Sequence, residues 1–271
     1  MTMASITGVD THAHVFHRRL PMVSKRRYTP DYDATVEQYL AHLDTQGLSH
    51  GVLVQPSFLG TDNGYMLEAI AQHPDRLKGV AVVDPSISEA ELDRFKSLGV
   101  VGCRLNLVGL TLEDYAEPRW QQFFKAMAAR DLSLEIHRTM VDFDTFLPAM
   151  MDSGVSVVID HFGLPEGGLK LEQAGHRCFL DALGSGQLWV KLSAPYRAQL
   201  APDQALAMLA QMREACGGLH RFLWGSDWPH TRFETEVHYD QQWARLEALL
   251  PDLSERRKVL VDNPDELFQF T

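Results

Sequence analysis

Eight short β-rich runs, at residues 6–12, 51–57, 78–84, 100–107, 133–138, 156–162, 188–194 and 221–227, recur along the chain with helical stretches between most of them. Parallel strands cannot be joined by a tight turn, so each crossover must contain a helix, and a βα repeat of roughly 30 residues is what a closed parallel barrel needs. Trp120, Phe123, Phe124, Met127 and Ala128 follow Pro118 at helical spacing, and Trp243, Leu246, Leu249 and Leu250 repeat the stripe, so one face of each helix can cover a sheet. The pattern predicts an α/β fold, a (β/α)8 TIM barrel. No internal stretch is rich in Pro, Gly and Ser over more than a few residues, the loop 163–168 being the nearest approach, so one domain is expected over residues 1–271. An open doubly wound sheet is the structural alternative. Against it, the first strand runs into Thr11-His12-Ala13-His14 instead of a glycine phosphate loop, which disfavours a dinucleotide site.

Charge narrows the partners. With 36 acidic against 25 basic side chains the formal net charge is −11, so the surface repels nucleic acid and anionic membrane, and a small anionic substrate needs local arginines. The start MTMASITGVD has neither a basic nor an apolar signal region, and no run approaches the ~18 apolar residues of a bilayer span. Cys103, Cys178 and Cys216 are widely spaced with no CxxC pair, which fits small buried side chains in a reducing compartment. A cytoplasmic protein is expected, with a small anionic substrate, no nucleic-acid or membrane partner, and a homo-oligomer left open.

Catalytic side chains of such barrels come from the C-terminal ends of the strands. The first run ends in Asp10-Thr11-His12-Ala13-His14, where a separation of two residues puts both imidazoles on one side of an extended chain, able to grip one metal or one oxyanion. The fifth ends at His137, the sixth at Asp160-His161, and the eighth at Ser226-Asp227-Trp228-Pro229-His230. His12, His14, His137, His161 and Asp227 are therefore expected at one mouth. Satisfied core histidines would explain any one of them, but the shared location marks the set as a site. Arg104 and Arg197, near the ends of the fourth and seventh strands, suit a dianionic ligand, since a guanidinium forks onto a carboxylate; structural ion pairs with Asp10 or Glu135 are the alternative. Ser57 opens a loop of hydroxyls and amides at the same end. The Arg- and Lys-rich tract 17–28 reads as a solvated loop over the mouth, with Tyr28 a candidate ligand contact.

The ordered set His12-Ala13-His14, His161 in IDHFG and Asp227 in LWGSDWPH resembles the amidohydrolase superfamily. Within it the chain is similar to the amidohydrolase-2 group, and VQPSFLGTDN, GCRLN and KLSAPYR extend the likeness over nearly the whole chain to the branch of 2-pyrone-4,6-dicarboxylate lactonases. The resemblance implies hydrolysis of a lactone to an open-chain acid. It makes Asp227 the base that takes a proton from water, has His12, His14 and His161 line the hydrolytic centre, and matches Ser57, Arg104 and Arg197 to positions that hold substrate carboxylates. Two positions depart from that pattern: His137 stands where the branch has a tyrosine, and Val108-Gly109-Leu110 stands where it has a further arginine. The first restores a ligand and the second removes a cation, so a divalent metal becomes more plausible than in the branch, which is understood to work without one.

The expected cofactor is thus none or one divalent ion, zinc first, with His12, His14, His137, His161 and Asp227 as the ligand pool. A carboxylate of pKa near ~4 is a weak base for water and needs help from burial or from a Lewis acid. Without a metal, His14, His137 and His161 would donate to the lactone carbonyl; with one, in-phase Asp10 or Glu135 would orient the imidazoles. A pyrone- or muconolactone-like substrate is favoured. A zinc-dependent decarboxylase of an aromatic or muconate acid, a sugar-acid lactonase and a non-catalytic barrel that binds an anionic metabolite are the rivals.

Overall fold

Each β-rich run becomes one parallel strand: β1 (Val9–Ala13), β2 (His50–Val54), β3 (Leu77–Ala81), β4 (Val100–Asn106), β5 (Ser133–His137), β6 (Val157–Ile159), β7 (Leu188–Ser193) and β8 (Phe222–Gly225). The computed structural model describes residues 5–270. The strands lie in sequence order, β1 to β8. The barrel closes past β8, where Ala13 bridges to Trp228, the His14 amide donates to the Trp228 carbonyl at 2.7 Å and the Asp227 amide donates to the His12 carbonyl at 2.8 Å. That seam therefore places His12, His14 and Asp227 side by side.

A helix follows every strand: α1 (Val36–Gln46), α2 (Gly64–Gln72), α3 (Glu89–Ser97), α4 (Pro118–Ala128), α5 (Phe143–Met151), α6 (Ala174–Gly184), α7 (Pro202–Cys216) and α8 (Tyr239–Leu249), with α9 (Leu253–Arg257) and α10 (Asn263–Phe268) after the last. Local chemistry sets their starts. Thr35 with Gln38 and Ser88 with Glu91 form reciprocal capping boxes on α1 and α3, and Pro118 occupies the first turn of α4, where its missing N–H is not needed. On α4 the stripe Trp120, Phe123, Phe124 and Met127 is buried, as its spacing predicts. No helix among the described residues is long and apolar enough to cross a membrane.

The barrel interior is layered. Val9, Val52, Val80, Val158, Trp189 and Leu223 fill the lower part, and Phe268 of α10 packs against them. Two residues further along their strands come polar groups, Asp160 after Val158 and Lys191 after Trp189, joined by Arg104 and Glu135; none is more than 3% exposed. The pleat dictates this, because inward positions recur every second residue. Strand β1 is the exception. Its register shifts between Asp10 and Ala13, so Val9 and His12 both face the interior and Asp10 turns to the helix layer. There Asp10 accepts from the Ser226 amide at 2.8 Å, the Ser226 hydroxyl at 2.6 Å and the Tyr239 hydroxyl at 3.1 Å. Burial, opposed by these hydrogen bonds, pushes its pKa up to about 6. The irregularity in β1 thus overturns the expectation that Asp10 sits in phase beneath the histidines.

Closure also requires Gly225. A Cβ at that position would lie 2.5 Å from His12 Cβ and 2.9 Å from the His12 backbone nitrogen. Gly225→Ala is expected to lower stability by about 1–3 kcal/mol, the usual range for overpacking, and urea unfolding measures it. An unchanged midpoint would mean that β1 and β8 are not in close contact here.

Candidate active site

Three imidazoles converge on one carboxylate oxygen. The Nε2 atoms of His12, His14 and His161 stand 3.8, 3.8 and 3.7 Å from Asp227 Oδ1, and none of the four residues is more than 5% exposed. Each ring is held by its other nitrogen. His14 Nδ1 lies 2.7 Å from the Val54 carbonyl, His161 Nδ1 is 2.8 Å from Ser193 Oγ, and His12 Nδ1 sits between Lys191 Nζ at 3.1 Å and Asp160 Oδ1 at 3.2 Å. Asp160, not Asp10 or Glu135, is thus the carboxylate that holds the far nitrogen of an imidazole, that of His12. Glu135 acts one step removed, accepting from Lys191 Nζ at 2.5 Å, and burial opposed by that ammonium pushes its pKa up to about 7.

The hydrogen bonds fix protonation states. A carbonyl only accepts, so His14 carries its proton on Nδ1 and turns an unprotonated Nε2 toward Asp227. Burial, reinforced by Arg104 and opposed by Asp227, lowers the His14 pKa to about 4, and burial lowers that of His161 to about 4 as well. The expectation that neutral His14 donates to a carbonyl is therefore corrected: its only proton is spent on Val54. His137 is the reverse case. Its Nδ1 lies 3.1 Å from Arg104 Nη2, which can only donate, so the His137 proton resides on Nε2.

Asp227 is kept ionised. Its Oδ2 accepts from Arg197 Nε at 2.6 Å and from the Tyr196 hydroxyl. Burial alone would raise its pKa, but Arg197 and the rings of His161, His12 and His14 outweigh it and hold the carboxyl well below the usual range. The backbone contributes too. Asp227 and His161 adopt φ of 61° and 53°, a left-handed region that costs a non-glycine residue about 1–2 kcal/mol and is concentrated at functional sites.

Above this cluster opens a cavity of about 230 Å³ whose wall includes His14, His137, His161, Asp227, Arg104, Arg197, Ser57 and Tyr28. Eight of the nine sequence-predicted site residues therefore share one cavity. His12 is the ninth, fully buried one layer below, so it supports the site without lining it. Ser57 sits at the exposed rim and Tyr28 donates to Glu234 Oε1 at 2.6 Å. The arginines are ion-paired, though not with Asp10 or Glu135: Arg104 Nε and Nη2 donate to Asp160 Oδ2 at 3.0 and 2.9 Å, and Arg197 holds Asp227. Nη1 of each has no hydrogen-bond partner among the described residues, which leaves one guanidinium nitrogen apiece for a ligand.

The donor set suits a cation. His12, His14 and Asp227 form one group of closely spaced ligand atoms and His12, Asp160 and His161 a second. An unprotonated His14 Nε2 facing an ionised Asp227 Oδ1 is a repulsive contact between two acceptors, which a cation or a water would relieve. His12 Nε2 and Asp227 Oδ1 are moreover buried without hydrogen-bond partners. His137 stands outside this group, edge-on to His161 at 5.0 Å between ring centres, with its Nδ1 turned to Arg104.

The model of the amidohydrolase family matches residues 9–270. The chain belongs to the amidohydrolase family. Among its amidohydrolase relatives, the 2-pyrone-4,6-dicarboxylate hydrolase of Comamonas testosteroni is 29% identical over 96% of this chain and 90% of its own. The 4-sulfomuconolactone hydrolase of Rhizobium radiobacter is 28% identical over 96% and 89%. A crystal structure described as a probable 2-pyrone-4,6-dicarboxylic acid hydrolase from Acinetobacter baumannii, with citric acid bound, superimposes with a TM-score of 0.91 at 39% identity, covering 97% of this chain and all of that one.

Several functional groups escaped the sequence reading. Asp160 adjoins His161 in IDHFG, and Lys191 lies two positions before Ser193, so strand parity alone could have placed both inside the barrel. Tyr196, beside Arg197, touches the Asp227 carboxylate that Arg197 pairs. Arg27, from the tract expected to be solvated, reaches the cavity wall, as does Arg232.

Proposed function

We propose that this amidohydrolase opens the ring of a carboxylated lactone, a 2-pyrone-4,6-dicarboxylate-like or muconolactone-like molecule, by Asp227-assisted attack of water. The observation that carries this is an ionised Asp227 at the base of a cavity whose wall carries four arginines, in a chain of net charge −11. The citric acid bound by the Acinetobacter relative, a molecule with three carboxyl groups, supports a polyanionic ligand for the shared architecture.

The reaction runs as follows. Asp227 Oδ1 accepts a proton from water as the water oxygen bonds to the lactone carbonyl carbon. Charge accumulates on the carbonyl oxygen, where the His137 Nε2 proton is the available donor. The intermediate collapses by breaking the bond to the ring oxygen, which leaves with a proton returned from Asp227, and an open-chain acid results. Arg104 and Arg197 hold substrate carboxylate, while Ser57 and Tyr28 bound the cavity. His12, His14 and His161 with Asp227 fit a single divalent ion, zinc first, which when bound would supply Lewis acidity to the water and the carbonyl.

Two results test the proposal. Elemental analysis of the purified protein should find at most one divalent ion per chain, because Lys191 and Glu135, the groups that could bridge a pair, are committed to each other. Two tightly held ions, both needed for activity, would contradict this. A panel of pyrone, muconolactone and neutral sugar lactones should be hydrolysed with a clear preference for the carboxylated members; fastest turnover of neutral lactones would overturn the substrate class.

A further inference from the structure

Four arginines line the active-site cavity, and they divide into two kinds. Arg104 and Arg197 are neutralised by Asp160 and Asp227. Arg27 and Arg232 have no carboxylate partner among the described residues. Arg27 Nη2 donates to the neutral Asn106 Oδ1 at 2.8 Å, and the Arg232 side chain has no hydrogen bond or ion pair among those residues. The acid nearest in sequence, Glu234, accepts from Tyr28 and lines a neighbouring cavity instead. Both guanidinium groups are on exposed residues at the outer part of the wall, whereas Arg104 is buried beneath.

Two uncompensated cations on one wall repel each other, and folding gains nothing from that arrangement by itself. Burial and then the charges of Arg104, Arg232 and Arg197 all act to lower the pKa of Arg27, which marks a region of net positive potential. Arg27 is also positioned: its hydrogen bond to Asn106, the last residue of β4, ties a loop side chain to the barrel. A forked, anchored guanidinium that shares a cavity wall with a second, unpaired one can receive an oxyanion group through parallel hydrogen bonds.

We propose that Arg27 and Arg232 form a second anion subsite, which binds the substrate carboxylate remote from the scissile carbonyl and selects dicarboxylated over monocarboxylated lactones. The inference rests on the lactonase reading above and deepens it. Arg104 and Arg197 serve the carboxylate near the hydrolytic centre, since their bonds to Asp160 and Asp227 place them there.

The test is a specificity ratio. Arg27→Gln, Arg232→Gln and the double variant keep side-chain length and polarity while removing charge at exposed positions. For each, kcat/KM is measured on 2-pyrone-4,6-dicarboxylate and on a pyrone monocarboxylate. The ratio of the two should fall by roughly 10-fold in each single variant and by about 100-fold in the double one, and Arg→Lys should retain most of it. A second arm needs no turnover: calorimetric binding of isophthalate, a planar dicarboxylate that cannot be hydrolysed, set against benzoate. Wild type should bind isophthalate at least about 10-fold more tightly, a preference lost in the double variant. If wild type hydrolyses the dicarboxylate and the variants keep both preferences, the subsite is overturned and the lactonase reading stands. If no lactone is turned over yet the isophthalate preference depends on Arg27 and Arg232, the subsite stands and that reading falls.

Discussion

Asp227→Asn is expected to fold as the wild type does and to lose at least about 100-fold in turnover. An amide matches the carboxylate in volume but cannot take a proton from water, and the loss of charge removes the anion that three imidazoles and Arg197 surround. Asparagine is the informative replacement because of the backbone. Residue 227 has φ of 61°, a region asparagine enters more readily than other side chains, so the variant avoids strain that alanine would add. Circular dichroism and thermal unfolding check the fold, and steady-state kinetics on a carboxylated lactone give kcat. Wild-type turnover in a folded Asp227→Asn protein would remove Asp227 from the mechanism.

Removal of the paired arginines should have the second large effect, in two separable parts. In Arg104→Ala, Asp160 remains a fully buried carboxylate with Lys191 Nζ at 3.5 Å and His12 as its remaining partners. Breaking a buried pair from one side costs about 3–5 kcal/mol, which urea unfolding will register. Arg197 is partly exposed, so Arg197→Ala should cost less in stability and more in catalysis, because Asp227 loses its ion pair. Both variants should also weaken binding of a carboxylated lactone by about 2–4 kcal/mol, roughly 30-fold to 1000-fold in KM, while leaving the KM of a neutral lactone nearly unmoved. If charged and neutral lactones respond alike, the arginines organise the site without binding substrate.

The sequence carried the barrel because its information is repetitive. Eight β-rich runs and the intervening apolar stripes each restate one period, and Ser133–His137 and Leu188–Ser193 differ from the expected runs only at an end. The convergence of His14, His161 and Asp227 followed from the rule that places strand ends at one mouth. What was not legible depended on single local events. The shift in β1 turned Asp10 outward, and no periodic argument predicts an irregularity within a five-residue strand. The identity of the acid beside each arginine and imidazole depends on the stagger between strands, which pairs Arg104 of β4 with Asp160 after β6 across the interior. Tautomers are further from the sequence still: that His14 and His137 carry their protons on different nitrogens follows only from a carbonyl at one and a guanidinium at the other. Loop residues such as Arg27 and Arg232 obey no period, so composition alone made the tract 17–28 look like solvated surface, and no pattern pointed to Arg232.

The most direct test of ring opening by water is the mass of the product formed from 2-pyrone-4,6-dicarboxylate in water labelled with heavy oxygen. Hydrolysis through Asp227 predicts an open-chain acid heavier than the lactone by one water, with labelled oxygen in the new carboxyl group, formed at least about 100-fold more slowly by Asp227→Asn. A product lighter by carbon dioxide, or an unlabelled one, would contradict it.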